Sequence, residues 1–164
     1  MTDAAPVSPT FWQRRVRQPI VAQLKQGISP DQIALTLGLG VACGLFPFLG
    51  FTTALCFVVA LALKLNQPLI HLVNQLLWPA QLAMIVVYLK FGEQLYGAAA
   101  ATFDPAEVTQ VFLTSQREFW SRFGLMGLHA FTAWLLTVPL LVGATYFTAR
   151  PLLRRLAAAR RTNP

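Results

Sequence analysis

Four side chains in one uncharged stretch of this sequence share a helical spacing. His71, Asn74, Trp78 and Gln81 recur at steps of three and four residues, which puts them on one face of a helix. Polar groups in an apolar helix turn toward protein or water rather than lipid. Such a face has two uses. It can line a path for an ion or a polar substrate, or it can hydrogen-bond neighbouring helices at roughly 0.6–2 kcal/mol per contact. Pro79 falls within the face and frees a backbone carbonyl. His129 stands alone in a later apolar run and reads as a neutral imidazole bonded to a carbonyl, with a proton relay as the alternative.

A second feature lies upstream. Gly44-Leu45-Phe46-Pro47-Phe48-Leu49-Gly50 is wholly apolar. Pro47 has no N–H and disfavours helix before it, while the flanking glycines tolerate positive φ. A chain break in such surroundings survives at membrane depth only when protein or a cavity covers it. Before it, Gly40 and Gly44 form a GxxxG, and Ala34, Gly38 and Ala42 form a second small-residue stripe. Both suit close helix approach in lipid. The candidate path is therefore Gly40, Gly44, Pro47, Gly50, His71, Asn74, Pro79 and Gln81.

No catalytic constellation accompanies these residues. The chain lacks paired carboxylates, a Gly-rich phosphate loop after a strand, and H-E-x-x-H. Asp31, Asp104 and Glu107 all have helix-capping explanations. Cys43 and Cys56 lie on opposite arms of the break within reach of each other, but lack neighbouring ligands and read as small packing residues. The reading is a protein without enzymatic activity, cofactor or metal.

The elements that must carry this face follow from composition. Of 164 residues, 55% are hydrophobic and 12% charged, against about 25% charged in a soluble domain. Mean hydropathy is +0.54. Residues 33–63, 67–89 and 123–149 carry no charged side chain, and each reaches the roughly 18–20 residues of a membrane helix. The net charge of +7 is distributed unevenly. Arg14, Arg15, Arg17 and Lys25 lead the chain, and Arg150, Arg154, Arg155, Arg160 and Arg161 close it. This is the positive-inside pattern and predicts both termini in the cytoplasm. No nucleic-acid-binding motif accompanies the arginines, so the expected partner is the lipid bilayer. Residues 1–10, polar with Pro6 and Pro9, do not resemble a cleaved export signal.

Cytoplasmic termini require an even number of crossings. The expected organisation is a cytoplasmic tail and amphipathic helix (1–28), then a membrane domain (29–149), then a basic cytoplasmic tail (150–164). Within the membrane domain, 30–63 forms a broken hairpin. Its arms of about 20–25 Å fall short of the roughly 30 Å core, so a re-entrant hairpin is expected, with two short crossings or one kinked, tilted helix as the alternatives. Residues 68–91 cross outward, 92–122 form an outer interfacial segment, and 123–149 cross back. In the outer segment, Asp104-Pro105-Ala106-Glu107 is a helix start. The fold class is all-α and polytopic. With so little interior to bury His71, Asn74 and Gln81, a homo-oligomer is expected.

Several spacings occur together. Ser29-Pro30, Ile33-Ala34, Gly40, Gly44, Pro47, Gly50, Leu65-Asn66, Pro68, Pro79 and Gly92 resemble the bacterial membrane family catalogued as domain of unknown function number two thousand and sixty-two. The family usually shows Asn-Pro where this chain has Trp78-Pro79, and Asn74 lies one turn earlier. The resemblance implies a bacterial inner-membrane protein. Some members are fused to glycosyltransferase-like domains, which implies partners in envelope biosynthesis. The expected activity is transport or handling of lipid and envelope precursors through the hairpin. The alternative is a non-catalytic scaffold or accessory subunit.

Overall fold

Local capping chemistry sets most helix starts. Ser29 accepts from the Gln32 N–H at 3.2 Å and Pro30 opens the first helix, α1 (Pro30–Gly44). After the break comes α2 (Thr52–Ala62). Asn66 accepts from the Leu69 N–H at 2.9 Å and starts α3 (Gln67–Tyr96). Asp104 accepts from the Ala106 N–H at 2.9 Å and starts α4 (Pro105–Thr114), followed by α5 (Gln116–Arg161). This computed structural model describes residues 28–97 and 104–161, and within them the regular structure is wholly helical. The amphipathic helix expected before residue 28 lies outside the described residues, as do 98–103 and 162–164.

Three helix ends reach beyond the expected segments. The last helix begins at Gln116 rather than at residue 123, because Ser115 accepts from the Glu118 N–H and restarts the helix directly after α4. It also runs through Pro139 and Pro151, so residues 150–161, expected as a tail, continue α5. Its 46 residues span ~69 Å. Likewise α3 continues past residue 91 to Tyr96, where Gly97 caps it at φ 61.

Contacts fix the helix directions. Ile33 and Ala34 of α1 cluster with Leu69 of α3 and Leu153 of α5. Farther along α1, Gly44 packs on Leu77, so α1 and α3 run the same way. Gly38 packs on Val142, so α5 runs opposite to α1. On the other side, α2 bonds α3 through Thr53–Asn74 and Phe57–Gln67, also antiparallel. The order is up, down, up, down. The start of α1 and the late part of α5 consequently meet, and Arg150 and Arg154 both bond Asp31, at 2.7 and 3.0 Å. The largest core cluster, around Tyr88, Leu89, Ala133 and Trp134, joins α3 to α5.

The α2–α3 corner is strained. Leu65 N–H bonds Ala60 O at 2.8 Å and Lys64 N–H bonds Leu61 O at 3.3 Å, a Schellman ending. Its left-handed position holds Lys64 at φ 52, where a side chain costs about 1–2 kcal/mol. We expect Lys64→Gly to stabilise the protein by about 1 kcal/mol, since glycine's greater freedom in the unfolded chain offsets part of the relief. Thermal unfolding of the two proteins in one detergent checks this. A lower midpoint for the variant would contradict the ending described.

Two helices, α3 and α5, are long and apolar enough to cross a membrane. Their outward faces are apolar too: Leu140 is 71% and Phe147 70% exposed, and Trp78 is 56% exposed. The same holds for α2, where Leu61 is 65% exposed.

Candidate functional site at the broken hairpin

The break is a chain of displaced hydrogen bonds. Pro47 cannot donate to the Cys43 carbonyl, one helical turn earlier. The Phe46 N–H donates there instead, at 3.2 Å. That leaves the Ala42 carbonyl without its helical donor. Trp134 of α5 supplies one, its indole Nε1 donating to Ala42 O at 2.9 Å in a buried contact. The carbonyl of Phe46, where the helix has ended, accepts from Gln81 Nε2 of α3 at 3.0 Å. Two carbonyls in an apolar interior thus gain donors from two different helices, as buried backbone groups require. Gly50 then turns the chain at φ 84, a conformation open to glycine, and α2 begins.

Aromatic rings close around the break. Phe46 meets Trp134 edge-on, with centroids 4.9 Å apart at 84°, and Phe131 at 6.2 Å and 85°. Phe48 lies against Gly127, where a Cβ would stand 3.2 Å from its ring. Pro47 is buried among these elements.

The expected polar face of α3 divides. Asn74 and Gln81 are buried, at 5% and 2% exposure. Asn74 Nδ2 donates to Thr53 Oγ1 at 3.4 Å, so both amides hold the hairpin, one at each arm. His71 is half-buried and Trp78 exposed. Three residues of helical turn set this pair about 60° around from Asn74 and Gln81, away from the break. Pro79 is exposed within an unbroken helix. One chain therefore buries Asn74 and Gln81 without a second copy, while His71 stays half-buried.

Glycines set the spacing of the helices. A Cβ on Gly40 would stand 3.0 Å from Val73, and one on Gly44 3.3 Å from Leu77, so the GxxxG faces α3. Gly38 of the other stripe lies against the Val142 backbone. At the far end, Gly92 packs on the His129 backbone, and His129 stacks on Tyr96 at 4.3 Å and 13°. Sequence reasoning missed Trp134 and Phe131. An indole N–H in an uncharged run must find an acceptor, a signal that could have singled out Trp134.

No curated protein and no solved structure matches this chain. The family match reaches well beyond the residues that carry the resemblance. The model for the family described as an uncharacterized protein conserved in bacteria (DUF2062) matches residues 13–162, and the chain belongs to that family.

Proposed function

We propose that this protein is a non-catalytic scaffold or accessory subunit of the bacterial inner membrane, with a re-entrant hairpin and both termini cytoplasmic. The observation that carries the reading is the use of Asn74 and Gln81. A transport path would present those amides to water or substrate. Here their amide nitrogens donate to Thr53 and to the Phe46 carbonyl, so both side chains are engaged within the fold. The exposed Leu, Phe and Trp side chains on α2, α3 and α5 suit contact with lipid.

Depth supports the re-entrant form. Gln81, which meets the tip, lies 14 residues into α3, or ~21 Å, short of the roughly 30 Å core. Charge supports the orientation. At the end where α1 starts, Lys64, Arg150, Arg154 and Arg155 stand against Asp31. At the other end, Lys90, Arg117 and Arg122 stand against Glu93, Asp104, Glu107 and Glu118. Arg122 there pairs with both Glu107 and Glu118. The outward faces would be offered to lipid and to envelope-biosynthesis proteins.

The two native cysteines report on a water path. Cys43 and Cys56 flank the break and are buried. In inside-out and right-side-out vesicles reduced beforehand, a membrane-impermeant maleimide should leave both unlabelled until detergent denaturation. Labelling of either one from either side would replace the scaffold reading with a conduit. Reporter fusions test topology separately: a C-terminal fusion active only outside the cytoplasm would overturn the orientation.

A further inference from the structure

Cys43 of α1 and Cys56 of α2 face each other across the hairpin. Both are free and buried, at 4% and 0% exposure, and both belong to one buried cluster between the two arms. Ala60 and Ile70 complete the buried cluster, with Leu39, Leu55 and Val59 packed against it. Among the described residues, no three His, Cys, Asp or Glu side chains come together to hold a metal. A structural zinc site uses four such ligands, so this pair does not make one. Two apposed thiols can do what one cannot, which is to close a disulfide.

We propose that Cys43 and Cys56 are a reversible dithiol–disulfide pair whose oxidant is a lipid-soluble quinone. Two S–H bonds break and one S–S bond forms. The two electrons and two protons pass to the quinone, which leaves as the quinol. The membrane reading above enters only in the class of oxidant. Water-borne oxidants act on exposed thiolates, whereas these thiols sit among aliphatic side chains. An oxidant that reaches them must dissolve in the apolar phase. The new bond would join the arms on either side of the break, enclosing Pro47 and Gly50 in a covalent ring. The hairpin could then no longer open.

The test uses the full-length protein in lipid nanodiscs, treated with a short-chain ubiquinone or with the lipid-soluble aromatic disulfide dithiodipyridine. Either should lower the intact mass by two hydrogens, and dithiothreitol should restore it. Cys43→Ser and Cys56→Ser should each give one stable aryl adduct with dithiodipyridine and no reaction with quinone. Two aryl adducts on the wild-type chain, or a chain that stays reduced with both reagents, would overturn the pair. Oxidation by dithiodipyridine but not by the quinone would overturn the oxidant class. Labelling by the water-soluble maleimide bears on the scaffold reading instead, so the two failures are distinguishable.

Discussion

Gly92→Ala should force α3 and α5 apart. A methyl group there would stand 2.6 Å from both the carbonyl carbon and the oxygen of His129. Those atoms belong to the α5 backbone and cannot rotate aside as a side-chain tip would. Overpacking a close contact costs about 1–3 kcal/mol, and a backbone obstacle places this change at about 3 kcal/mol or beyond. The Tyr96–His129 stack beside it should be lost as the helices separate. Gly143→Ala is the matched control, since its Cβ would meet nothing within 4 Å. That change should be neutral or stabilise by up to about 1 kcal/mol through helix propensity. Thermal unfolding of both variants in one detergent reads the difference. Equal midpoints would mean that α3 and α5 do not cross at Gly92.

The second large effect is expected at Trp134. Trp134→Ala removes a ring packed edge-on against Phe46 and the donor to the Ala42 carbonyl. The loss should be about 3–5 kcal/mol, as for other buried aromatic truncations. Trp134→Phe separates the two contributions. It keeps a ring in the cluster, removes the N–H, and should cost about 1–2 kcal/mol. Gln81→Leu should cost a similar amount by stranding the Phe46 carbonyl. Both changes act on one break, so combining Trp134→Phe with Gln81→Leu should not give additive losses. Hydrogen exchange adds a local readout: amides from Cys43 to Thr53 should exchange faster in each variant. A Trp134→Phe protein that matches the wild type in midpoint and exchange would falsify the role given to the indole.

Chemistry within a few residues made several features of this fold legible. Ser29-Pro30 and Asp104-Pro105 start helices because a side-chain oxygen and a proline satisfy the first turn locally. Pro47 between two glycines marks where the first apolar run can break, because the missing N–H and the glycines' freedom are local properties. Uncharged length alone marks α3 and α5 as able to cross a membrane.

What the prolines do farther on was not local. Pro79, Pro139 and Pro151 all sit inside continuous helices, although each lacks the same N–H as Pro47. Proline chemistry alone therefore does not distinguish a break from an uninterrupted helix. At Pro47, two glycines and an adjoining second arm let the chain turn, and donors on other helices satisfy the carbonyls released. Those donors come from distant sequence, Trp134 lying 92 residues from Ala42. Only packing chose Asn74 and Gln81 over His71 and Trp78, through a rotation of about 60° about α3. Spacing groups all four residues on a broad face. The narrower strip that is buried depends on where the hairpin lies against it, and that is fixed by contacts such as Gly40 on Val73 and Gly44 on Leu77.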